Sequence, residues 1–152
     1  MGDRPDDFSF RYNWREGSLP PPYYYEITIS VSPEGDGTIV FRPDYTRHAV
    51  PVWEEHFRVP LLQLNELYQL MLKRGVFGGG WETYPDDDCP VGGSLEWLEV
   101  IARGERHKVP WLLRQPEAVK PLYAFIRALV PEVTWAKLRA QHEDFKATYK
   151  NG

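Results

Sequence analysis

Cysteine is almost absent from this sequence: Cys89 stands alone among 152 residues. An internal disulfide framework is thereby excluded, and a reducing compartment, the cytoplasm, is the expected location. Long apolar runs are missing too, and no stretch approaches the roughly 20 residues that a membrane-spanning helix needs. The opening Met1-Gly2-Asp3-Arg4-Pro5-Asp6-Asp7 has no apolar centre and does not read as a secretory signal. Asp6 stands where Ser or Thr is wanted for myristoylation. There is no basic block either. A net charge of −4, with cations interleaved among acids, leaves no electrostatic footprint for nucleic acid.

Catalytic signatures are equally scarce. No Ser lies in a Gly-x-Ser-x-Gly elbow, and no glycine-rich phosphate loop precedes a helix. His48, His56, His107 and His142 show none of the close pairings of zinc motifs. His142 falls on the apolar stripe of a helix, where a packing role is expected. No catalytic residue, metal or cofactor is therefore expected.

Aromatic residues are what the chain has in plenty: six Trp, nine Tyr and seven Phe. Their first use is burial, because each covers a large area. With 42% hydrophobic and 26% charged residues the composition is that of a folded protein. A single domain, 1–152, is expected, with residues 1–7 frayed. At this size about 68–70% of the unfolded surface is buried on folding, so the core needs no staple.

Periodicity supplies the elements. Phe8, Phe10, Tyr12 and Trp14 alternate with polar residues, the mark of a half-buried strand. Tyr23, Tyr25, Ile27, Ile29 and Val31 repeat the pattern, turn at Pro33-Glu34-Gly35-Asp36-Gly37, and return through residues 38–42 as a hairpin. Trp53, Phe57 and Val59 share a parity and predict a further strand. Leu61, Leu64, Leu67, Tyr68, Met71 and Leu72 form a helical stripe after Pro60, stopped by Gly75. Residues 95–102 carry apolar side chains on both parities, which predicts a strand covered at least in part on both faces. They turn at Arg103-Gly104-Glu105 and return through 106–111. Helices follow around Pro121 and from 131–134 onward, the last with Trp135, Leu138, His142, Phe145 and Tyr149 spaced three and four apart.

The order predicts an α+β fold: an antiparallel sheet of about five to six strands with two to three helices packed mainly on one face. Two ββα units are visible in it, one on each side of the 76–94 loop. Their spacings are unequal, however. The first unit must carry an insertion between hairpin and helix, which residues 44–58 supply.

The 76–94 loop is the place where a site is expected, since loops of this length in compact domains usually carry function or move. Its three successive glycines, 78–80, let a ligand approach the backbone, and Trp81 and Tyr84 offer stacking faces beside Asp86 and Asp88. Trp81, Tyr84, Asp86 and Asp88 are accordingly the predicted ligand-binding residues. Cys89 is a bystander, because the three aspartates before it disfavour a thiolate. Counting an EF-hand loop from Asp88 puts Gly93 and Glu99 correctly, but Pro90 and Gly92 fall where carboxylate ligands belong. Pro20-Pro21-Pro22-Tyr23 resembles a WW-domain ligand in four residues only, and its Tyr opens a strand.

The functional expectation is a non-enzymatic binding or protein-interaction domain whose partner is a protein or a small molecule. Neither nucleic acid nor membrane is expected as a partner. Trp135, Leu138, Phe145 and Tyr149 form a seam that covers either the domain's own sheet or, in a homodimer, a second copy. The alternative is a small hydrolase that combines polar groups of the 76–94 loop with a strand histidine such as His107.

Overall fold

The computed structural model describes residues 3–15, 23–43, 51–78, 95–109 and 119–151. Six strands, β1 (Ser9–Arg15), β2 (Glu26–Val31), β3 (Asp36–Arg42), β4 (Trp53–Arg58), β5 (Leu95–Ala102) and β6 (Glu105–Val109), form one antiparallel sheet. Three helices, α1 (Leu61–Lys73), α2 (Lys120–Ala128) and α3 (Glu132–Asn151), complete an α+β fold. The strand order is β4-β3-β2-β1-β5-β6. The first strand in sequence therefore lies inside the sheet, between the two hairpins.

Period-two patterning decides which face is buried. Phe10 and Tyr12 of β1, Ile27, Ile29 and Val31 of β2, Ile39 and Phe41 of β3, and Leu98 and Val100 of β5 are all buried on one face. Leu64, Leu67 and Met71 of α1, Leu122 and Ile126 of α2, and Leu138 of α3 are fully enclosed against that face. Each such side chain contributes about 1.5–3 kcal/mol of transfer free energy. Aromatic rings do much of the filling. Phe8 meets Tyr68 of α1 edge-on at 5.3 Å, and Phe41 lies 5.1 Å from the His142 ring of α3.

The turns follow local chemistry. Between β2 and β3, Gly35 adopts φ 92, and the Ser32 hydroxyl accepts a bond from the Asp36 N–H at 3.1 Å. Between β5 and β6, both central residues have positive φ: Arg103 at 54 and Gly104 at 75. That is the hairpin turn whose twist matches its strands, and it costs energy at a non-glycine position. Asp7 offsets the cost, its two carboxylate oxygens accepting the Arg103 and Gly104 N–H groups at 2.8 Å each. Asp7 of the acidic start thus contacts the β5–β6 turn. Arg4 also donates to Asn65 at 2.7 Å and to the Pro33 carbonyl at 3.2 Å.

Strand β5 is covered in part on both faces, as its two apolar parities predict. Leu98, Val100 and Ala102 are buried on the helix side, but Leu95, Trp97 and Glu99 opposite them are only half-buried and Ile101 is exposed. The apolar sides of all three helices are buried against the same face, and among the described residues no helix covers the opposite face. Among the described residues, no helix is long and apolar enough to cross a membrane.

Candidate functional site

Residues Trp81, Tyr84, Asp86, Asp88 and Cys89 lie outside the described residues, as do Pro20 to Pro22 and His48. The described start of the 76–94 loop is structural. Val76 is buried, its N–H capping α1 at Met71, and Phe77 packs edge-on against the His107 ring at 4.8 Å. His107 points to the helix side of β6, 3.9 Å from Glu105. His142 is buried between Tyr25 and Phe41, and His56 is exposed on β4 beside Glu54 at 3.0 Å. Among the described residues, no group of three or more His, Cys, Asp or Glu could hold a metal ion. Trp135, Leu138 and Phe145 all face the chain's own sheet or α2. Leu138 is fully buried, Phe145 meets Trp53 of β4 at 6.4 Å, and Trp135 donates its indole N–H to the Arg127 carbonyl at 3.0 Å. The side chain of Tyr149 lies outside the described residues.

Two arrangements missed by sequence reasoning stand out. The first is a polar cluster where β1, β5, α2 and α3 meet. Trp14 and Glu96 are opposite each other in the β1–β5 register, on the helix side of the sheet, with Tyr12 two residues away. Tyr123 and Arg127, one helical turn apart on α2, descend onto them. The Tyr12 hydroxyl donates to Glu96 Oε2, and the Tyr12 and Tyr123 rings are 5.2 Å apart. The Arg127 guanidinium lies 4.5 Å from the centre of the Trp14 ring and 5.9 Å from that of Trp135.

The electrostatics of this cluster are unlike those of a surface pair. Burial pushes the Glu96 carboxyl above its ordinary range, against the opposing pull of the Tyr12 hydrogen bond and the Arg127 charge. Both phenols are shifted upward, first by burial and then by the nearby carboxylate, so they remain neutral donors. The Trp14 indole N–H and the Tyr123 hydroxyl are both buried without a hydrogen-bond partner among the described residues. Glu96 shares a parity with Leu98 and Val100. A carboxylate in phase with core residues was the available signal.

The second arrangement is the open face of the sheet. Register places His56, Thr38, Ser30, Arg11, Glu99 and Lys108 side by side across all six strands. Neighbouring rows are tied by ion pairs, Arg15 with Glu26 at 3.3 Å and Arg42 with Glu26 at 3.7 Å. Asn13 bridges Glu26 and Thr28 at 3.0 Å each, and Lys108 lies over the Trp97 ring at 5.7 Å. A shallow groove of about 450 Å³ runs across this face, with Ser9, Arg11, Ser30, Ser32, Thr38 and Glu99 among its lining. Arg11 is exposed in it and, among the described residues, makes no hydrogen bond or ion pair.

No family model matches this chain, and no curated protein matches it significantly. The geometry therefore carries the functional reading alone.

Proposed function

We propose that this chain is a non-enzymatic interaction domain that engages a partner protein through the open face of its sheet. The carrying observation is the one-sided architecture of the described residues: three helices on one face and, on the other, a cross-strand row of polar side chains around the exposed Arg11. A sheet face offers a rigid, pre-formed surface, so little conformational entropy is lost when a partner docks. The acids and bases are interspersed, which suits a protein surface of complementary pattern and not a polyanion. The 76–94 loop residues Trp81, Tyr84, Asp86 and Asp88 remain proposed contacts for a ligand. A single cysteine supports a cytoplasmic setting. A second copy docking through α3 is the less favoured partner, because Trp135, Leu138 and Phe145 already serve the chain's own packing.

The test is charge reversal on the open face. Arg11→Glu leaves the core untouched, so its unfolding midpoint should stay close to that of the parent. Proteins retained from a lysate of the source cells by the parent chain and lost by Arg11→Glu, read by quantitative mass spectrometry, would support this surface. Identical retention by both would refute it. The alternative hydrolase reading draws on the Phe77–His107 contact, which brings the start of the loop against a strand histidine. That contact is a packed, edge-on ring pair, the carboxylate 3.9 Å from His107 is Glu105 of its own strand, and packing explains the ring contact.

A further inference from the structure

We propose that the cluster between β1, β5, α2 and α3 is a second site, which binds a small organic carboxylate through Arg127 and the free donors of Trp14 and Tyr123 beside Glu96. Three observations carry this. The first is polar atoms left over. Buried donors are normally satisfied, and leaving one bare costs about 1–3 kcal/mol. Here two buried donors, the Trp14 indole N–H and the Tyr123 hydroxyl, lie in one neighbourhood with no partner among the described residues. Tyr123 is only 3% exposed, so bulk water is not beside it.

The second observation is the arginine. Arg127 is held by ring faces, Trp14 at 4.5 Å and Trp135 at 5.9 Å, and among the described residues it has no carboxylate within ion-pair distance. A guanidinium stacked in this way keeps its edge for a planar, bidentate acceptor, and a carboxylate matches that fork. The third is the balance of donors and acceptors. Trp14, Tyr123 and Arg127 are donors, and Tyr12 has already committed its hydroxyl to Glu96. An acceptor-rich ligand is wanted, and the two indole faces favour an apolar body behind it.

Glu96 narrows the choice. A dianion such as phosphate would meet a carboxylate at close range, whereas a monocarboxylate can share one proton with Glu96. Burial already biases Glu96 toward its protonated form. Among the described residues the groups facing it are Tyr12 and Trp14 from β1 and Tyr123 and Arg127 from α2, with the Trp135 ring behind Arg127. Arg127 is the only cation among them. Binding should therefore take up a proton and tighten as pH falls.

Benzoate is the probe, inorganic phosphate the comparison, and the indole N–H resonances of the ¹⁵N-labelled full chain are the readout. The expected result is a saturable benzoate shift of the Trp14 indole, with the Trp97 indole on the opposite face unmoved and no saturable response to phosphate. Arg127→Gln should weaken binding about tenfold or more, the loss expected for a charge-assisted pair. Glu96→Gln, which keeps an acceptor for Tyr12 and guards against a misfolded Arg127 variant, should bind benzoate with no pH dependence between about pH 5.5 and 7.5. No saturable Trp14 shift, a shift unchanged in Arg127→Gln, or a wild-type pH dependence retained in Glu96→Gln would each overturn the proposal.

Discussion

Replacing Tyr12 by Phe removes one oxygen and tests the electrostatics of the buried cluster directly. The ring stays, fully buried and tilted against Tyr123 at 5.2 Å, so packing changes little. What is lost is the hydroxyl that donates to Glu96. That bond favours the ionised carboxylate, while burial disfavours it, and burial is the larger effect. A hydrogen bond to a charged group contributes about 1.5–3 kcal/mol, and a neutral one about 0.5–1.5 kcal/mol. Glu96 is only partly buried, so solvent screening places the expected loss near the lower end of the charged range, about 1.5 kcal/mol at pH 7. The loss should shrink toward about 0.5 kcal/mol near pH 4, where the carboxyl carries its proton and the bond is neutral.

The pH profile has a definite sign. The folded-state pKa of Glu96 lies above its ordinary value of 4.5, so the folded chain holds the proton more tightly than the unfolded one. The contribution of Glu96 to stability is complete below pH 4.5 and declines as pH rises through the raised folded value. Tyr12→Phe should push that value higher and steepen the decline, and Glu96→Gln should abolish it. Urea unfolding at about pH 4 and pH 7 reads all three, provided the slope with denaturant is unchanged. An equal loss for Tyr12→Phe at both pH values, or a larger loss at the lower one, would refute the coupling.

Two further outcomes are expected from the turns. Gly35→Ala should cost about 2–4 kcal/mol in urea unfolding, because its φ is 92 and a Cβ would sit 2.4 Å from the Val59 carbonyl oxygen. Gly104→Ala has φ 75 but open space, so about 1 kcal/mol is expected, and equal losses at the two sites would contradict the steric argument. The Asp7 carboxyl is held below its ordinary value of 3.8 by the Gly104 and Arg103 N–H bonds, so its contribution is present above that pH and lost as pH falls through the lowered value. The Arg103 and Gly104 amide shifts should titrate together below pH 3.8, and Asp7→Asn should remove the titration; amides that do not respond would show that the contact does not persist in solution.

Strand alternation in residues 23–42 and the stripe of Leu64, Leu67 and Met71 were legible because side-chain period follows directly from backbone geometry. The sites were not. A sequence presents Glu96 as one carboxylate among many, and nothing local says that Tyr12, 84 residues away, will donate to it. The predicted focus on the 76–94 loop came from its length and composition, which are local signals. The Glu96–Arg127 cluster and the Arg11 row are products of pairing between distant strands.

From its own order of residues, then, this chain determined its elements, its α+β class and which parity of each strand would be apolar. Only the tertiary structure decided that β1 sits inside the sheet, and that Arg11 is exposed while Glu96 is half-buried beside Tyr12. The reason is physical: hydrophobic period is a property of neighbours in sequence, whereas burial, register and the pKa of a carboxyl depend on what non-local pairing brings beside it.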